Sequence, residues 1–162
     1  MSIPDLVLTD QTGQPRSLQE FKGEVVMVYF GYTFCPDVCP TTLTEMKKTF
    51  ELLGNKAEEV NFVMISVDPG RDTPQALGAY LSNFNPTFIG LSGTPDQIAD
   101  AALPFGVFYE KHEGTAATGY LVDHTASVMV LDRQGQLRLI IPFQTPAEDV
   151  AADIKQLLKS SR

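Results

Sequence analysis

The two cysteines of this 162-residue chain, Cys35 and Cys39, stand three residues apart in Gly31-Tyr32-Thr33-Phe34-Cys35-Pro36-Asp37-Val38-Cys39-Pro40. A disulfide between such near neighbours closes only a small loop and restrains little of the chain. A small structural disulfide or two inert thiols are the plain alternatives, but a local pair of this kind more often serves redox or metal chemistry. Pro36 keeps the loop from winding into a helix, so both sulfurs can turn toward one point. Pro40 suits the first helical position, which puts Cys39 at the cap. There, free backbone N–H groups and the helix dipole favour a thiolate.

Only two histidines accompany them. His112 lies in the polar stretch Glu110-Lys111-His112-Glu113 and reads as a solvated surface residue. His124, in Val122-Asp123-His124-Thr125, comes immediately before an apolar strand. Taken alone, such a histidine is more often a structural residue than a ligand. Beside two thiols it completes a three-ligand set of Cys35, Cys39 and His124. Soft thiolates suit Cu(I), and an imidazole keeps Cu(II) accessible. Structural zinc normally takes four protein ligands, and only three good candidates are present. Asp123 is a candidate to hydrogen-bond the site from behind its ligands, while Asp37 reads as solvated. Met27, Met46, Met64 and Met129 fall on strand and helix faces and read as core, not as a methionine copper box.

The elements that must position these residues follow from pattern. Leu6–Thr9 and Arg16–Leu18 flank a turn at Asp10-Gln11-Thr12-Gly13 and predict an N-terminal hairpin. Val25–Phe30 is a continuous apolar run, the mark of a buried central strand, and the cysteine loop leaves its end. A helix then runs from about Pro40, with Leu43, Met46, Phe50 and Leu53 inward and Gly54 as its stop. Strands are predicted at Val60–Val67, Thr87–Leu91, Val107–Glu110, Ala126–Asp132 and Leu137–Ile141. Helices are predicted to open at Thr73-Pro74, at Thr94-Pro95 with Gln97 completing a capping box, and at Thr145-Pro146 with Glu148. His112–Gly119 reads as a loop, and no internal repeat is evident.

Alternating strands and helices argue for an α/β fold with a central mixed sheet flanked by helices, plus an antiparallel terminal part. Placing the cysteines where a buried strand passes into a helix puts them where open α/β sheets carry their active sites. Thioredoxin-type dithiol enzymes carry two residues between their cysteines, and this chain carries three. In a thioredoxin-like fold, the segment entering the late strand packs against the redox loop and presents a proline there. This chain has no proline near Asp123–Ala126 and offers His124 instead. Peroxiredoxins place Thr or Ser three residues before the reactive cysteine and Pro seven before it; Tyr32 and Val28 occupy those positions here.

Charge narrows the partners. Twelve basic and twenty acidic side chains give a net charge of −8, which argues against nucleic acid as a partner. Apolar runs such as Val25–Phe30 are too short to span a bilayer, which takes roughly 20 residues. No basic and apolar leader opens the chain.

Together these residues resemble the SCO/SenC family, copper chaperones and thiol-redox proteins of cytochrome c oxidase assembly. The resemblance rests on Cys35-Pro36-Asp37-Val38-Cys39-Pro40, on Asp68-Pro69 through Asp72-Thr73-Pro74, on Asp123-His124-Thr125, and on Leu8-Thr9-Asp10 with Gly13. It implies a thioredoxin-like fold, with residues 1–162 forming one copper-binding domain and an N-terminal membrane anchor absent from this sequence. It further implies copper held by Cys35, Cys39 and His124, and cytochrome c oxidase subunit II or another copper donor or acceptor as partner. The implied location is the periplasm or the outer face of the bacterial inner membrane, or the mitochondrial intermembrane space in a eukaryote. Monomer is the expected state. Two roles follow for the same sulfurs: a metallochaperone that carries copper, or a thiol–disulfide oxidoreductase that reduces the client's cysteines before copper arrives. A redox or copper sensor is a third. Asp68-Pro69-Gly70-Arg71-Asp72-Thr73-Pro74 is expected to turn the chain and cap a helix, with partner recognition as a second use.

Overall fold

A computed structural model describes residues 7–33, 38–107, 109–112, 121–124 and 127–160, with the description confined to the backbone at 38, 39, 110–112, 121–124 and 160. Among the described residues, nine strands and four α-helices follow in the order β1 (Val7–Asp10), β2 (Pro15–Ser17), β3 (Val25–Gly31), α1 (Val38–Leu53), β4 (Val60–Ser66), α2 (Pro74–Ser82), β5 (Ile89–Ser92), α3 (Pro95–Ala102), β6 (Tyr109–His112), β7 (Leu121–His124), β8 (Val128–Leu131), β9 (Leu137–Ile141) and α4 (Ala147–Ser160). Seven strands form one sheet in the order β2-β1-β5-β4-β3-β8-β9, and β6 and β7 form a separate ribbon.

The run Val25–Gly31 is buried at every position because β3 lies between β4 and β8 and is covered on both faces. β3, β4 and β5 are parallel, and β8 runs antiparallel to β3. Side chains alternate between the faces of the sheet. Phe62 and the position of Gly90 share the face covered by α1 and α2, where Phe50 of α1 and Phe62 both pack on Phe88. A Cβ on Gly90 would lie 3.0 Å from Leu81 and 3.1 Å from Leu77, so α2 sits almost directly on the β5 backbone. α4 packs along α1 and buries Val150, Ile154, Leu157 and Leu158, the face its periodicity predicts. The other face takes Phe30, which meets Phe105 edge to face just after α3. Met27, Met46, Met64 and Met129 are all buried in this core, as expected.

Helix caps follow the Thr-Pro signals at two of three sites. Thr73 accepts from the Ala76 N–H, and Thr94 with Gln97 forms a full capping box. The third differs. Thr145 turns its hydroxyl back to the Pro142 carbonyl at 2.7 Å, beside Gln144 at φ 67°. The Ala147 N–H at the start of α4 is instead capped by the Glu45 carboxylate of α1, 3.0 Å away.

A short motif does recur, contrary to the sequence expectation of no repeat. In Asp10-Gln11-Thr12-Gly13-Gln14-Pro15-Arg16 and Asp132-Arg133-Gln134-Gly135-Gln136-Leu137-Arg138, the aspartate Oδ1 accepts from the N–H groups two and four residues on. Its Oδ2 takes the arginine six residues on, at 3.2 Å in both hairpins. Gly13 and Gly135 supply the left-handed turn position, at φ 85° and 80°. Among the described residues no helix is long and apolar enough to cross a membrane.

Candidate metal centre

Three polar segments gather at the carboxyl edge of the parallel strands. β3 ends at Gly31 and β4 ends at Ser66 opposite it. β8 begins there too, since its antiparallel register pairs Val128 with Tyr29. The chain entering β8 therefore reaches the sheet beside the residues that leave β3.

The sequence-derived site residues divide unequally. Cys39 lies in the first turn of α1, which starts at Val38. The helix thus begins two residues before the predicted Pro40, and Cys39 is within it rather than at its cap. Proline is tolerated there because first-turn N–H groups have no intrahelical acceptor to lose.

His124 is the last residue of β7, whose four residues pair with β6. Only the strand after His124 was expected from sequence, and β7 is an addition to it. β6 runs Tyr109–His112 rather than Val107–Glu110, so His112 belongs to a strand and not to a loop. Three residues separate His124 from Val128, a span of at most about 14 Å of extended chain. His124 thus precedes by a short stretch of chain the residue at which β8 begins. Cys35 and Asp37 lie outside the described residues, and Asp123 pairs with Glu110 in the ribbon backbone. Among the described residues no three His, Cys, Asp or Glu side chains gather as a metal site.

The best-defined chemistry at this edge belongs to a residue absent from the sequence-derived site. Asp72, fully buried in the β4–α2 connection, accepts from the Thr33 hydroxyl at 2.5 Å and the Thr33 N–H at 3.1 Å. Ser66 donates to the same carboxylate at 2.7 Å and accepts from the Asp68 N–H at 3.1 Å. Burial pushes the Asp72 carboxyl above its ordinary 3.8, against the bonds from Thr33 and Ser66, and the Asp68 carboxylate adds to the rise. Next to this pair, the Arg71 guanidinium lies 5.9 Å from the Tyr32 ring centre, and its Nε donates to Asp68 at 2.5 Å. Arg71 and Asp72 thus hold Tyr32 and Thr33, the two residues that lead into the cysteine loop. The connection is structural, as expected, but it is also tied to the candidate site.

The fold and this edge define a thioredoxin-like protein with a cysteine-bearing strand-to-helix junction. The SCO1/SenC family profile matches residues 3–159, and the chain belongs to that family. An SCO2-like protein of Rickettsia conorii is 40% identical over 133 residues, which cover 82% of this chain and 65% of that relative's length. Bradyrhizobium japonicum ScoI, solved with copper bound, is 39% identical with a TM-score of 0.88, covering 97% of this chain and 99% of that one. Yeast Sco1, also solved with copper bound, is 28% identical with a TM-score of 0.89, covering 99% and 90%.

Proposed function

We propose that this chain binds one copper ion through Cys35, Cys39 and His124 and delivers it during assembly of the binuclear copper centre of cytochrome c oxidase. The observation that carries this reading is the convergence at the carboxyl edge of β3. α1 begins there with Cys39 in its first turn, and the Val128–Tyr29 pairing starts β8 at the same edge, four positions after His124 in sequence. The copper-bound relatives share this fold over nearly the whole chain. Two thiolates and one imidazole hold copper in either oxidation state, and a three-ligand site leaves room for an acceptor's ligand during transfer. The client is oxidase subunit II or another copper protein. The protein works outside the cytoplasm, on the periplasmic face of the inner membrane or in the mitochondrial intermembrane space, held there by an anchor beyond this sequence.

A second reading draws on the same helix turn. A thiolate favoured at Cys39 is also a good nucleophile, and the pair can reduce a client disulfide. In that exchange the client S–S bond breaks, a Cys35–Cys39 disulfide forms, and two electrons with two protons pass to the client sulfurs.

Mixing the reduced, copper-loaded protein with a metal-free soluble domain of subunit II separates the roles. Appearance of the binuclear copper spectrum on a client already reduced supports delivery. If no copper passes from the loaded protein while the copper-free dithiol reduces an oxidised client, the oxidoreductase reading replaces it.

A further inference from the structure

The Asp72 carboxylate joins three parts of the edge that the backbone does not connect directly. Its partners are Thr33 at the exit of β3, through both N–H and hydroxyl, and Ser66 at the end of β4. Asp72 itself lies beside Thr73, the cap of α2. Thr33 stands two residues before Cys35 and five before the start of α1. The residues on either side of the Cys35 segment are thus Thr33, bound to this carboxylate, and Val38, the start of α1. We propose that Asp72 is a positioning residue for the dithiol, holding Thr33 so that Cys35 is presented in one place, both for copper and for closure with Cys39.

The physical basis is preorganisation. A ligand on a loop whose two ends are fixed has less conformational entropy to lose when it binds. Supporting residues of this kind decide how closely a site is held to its working geometry. A carboxylate is suited to the task because it accepts several bonds at once, with one oxygen serving the Thr33 hydroxyl and the other the Thr33 N–H and Ser66. The Arg71–Tyr32 contact, one residue earlier on each strand exit, reinforces the same alignment.

The copper half of this inference rests on the function proposed above, and the thiol half does not. The test uses Thr33→Val, which removes the hydroxyl but keeps shape and N–H, with Thr33→Ser as its rescue and Asp72→Ala as the larger cut. Copper affinity by chelator competition, the EPR spectrum of the Cu(II) form, and the dithiol–disulfide equilibrium of the metal-free protein against glutathione are measured for each. Thr33→Val and Asp72→Ala are expected to bind copper about tenfold more weakly, the scale of one good hydrogen bond. Their EPR lines should broaden and their exchange equilibrium shift, while Thr33→Ser restores all three. Wild-type values in a folded Thr33→Val protein, or equal losses in Thr33→Val and Thr33→Ser, would overturn the proposal. If Asp72→Ala does not fold, the Thr33 pair decides alone. If the wild type binds no copper, the proposed function fails. The glutathione equilibrium then settles the positioning role, with a Val–Ser difference upholding it and no difference overturning it.

Discussion

Tyr109 of β6 is the cross-strand partner of His124 of β7. The pairing is one of four in the β6–β7 ribbon and fixes the backbone of His124 at the end of β7. Burial raises the Tyr109 phenol above its ordinary 10.

His124→Ala leaves that backbone ladder in place, because only the terminal side chain is truncated. Copper affinity is expected to fall by more than the about 10–100-fold that losing a supporting residue costs a metal site. Thiol–disulfide exchange should persist unchanged. Chelator competition and glutathione exchange on the same sample check both halves, and retained copper affinity would remove His124 from the ligand set.

Glu45 links the two helices that pack together. Its carboxylate caps α4 at Ala147 from α1, and no other acceptor for that N–H is evident among the described contacts. Glu45→Ala should cost about 0.5–2 kcal/mol, the range for a lost helix cap. Glu45→Gln, which keeps an acceptor oxygen, should cost less. Urea unfolding of both variants gives the comparison.

This cap shows where sequence reading stops. Thr145-Pro146 carries a good local start signal, yet the group that caps α4 is 102 residues away in sequence, and no local pattern encodes that meeting. Asp72 and Thr33 are 39 apart and escape for the same reason. β7 is missed because four residues beyond a Gly- and Thr-rich stretch show too short a period to read, and its strand character comes from β6. By contrast β3 and the inner faces of α1 and α4 are legible, since burial alone dictates their pattern. The Asp-x-x-Gly-Gln-x-Arg motif stands twice in the sequence but goes unread there, because its copies are short and far apart.

Asp10 makes the first of those hairpins pH-sensitive. Burial alone would raise its pKa, but bonds from Thr12, Gln14 and Arg16 outweigh it and hold the carboxyl below its ordinary 3.8. A carboxyl lowered on folding contributes stability above the unfolded value, and loses it as pH falls through the folded one. Asp10→Asn should therefore cost about 1–3 kcal/mol at pH 7. The gap to wild type should narrow as pH drops below 3.8. Denaturant midpoints across that range test the sign. Asp72 runs the other way: its raised pKa favours the fold most below 3.8, and that contribution is lost as pH rises through its folded value.

Gly90 is held by space rather than by backbone conformation. The atom that a Cβ would meet at 3.1 Å is the Leu77 Cβ, which cannot swing aside as a side-chain tip can. Gly90→Ala should destabilise by about 1–3 kcal/mol through overpacking of α2 on β5. Thermal unfolding reads this directly, and an unchanged Tm would mean that α2 shifts without cost.

Anaerobic titration of the fully reduced protein with copper, followed by absorption and EPR spectra, is the most direct test of the metal centre. One equivalent should bind, with thiolate-to-Cu(II) charge-transfer bands that vanish in Cys35→Ser, Cys39→Ser and His124→Ala. No tight binding, with both thiols still reactive, would contradict a copper site at this edge and leave dithiol exchange as its chemistry.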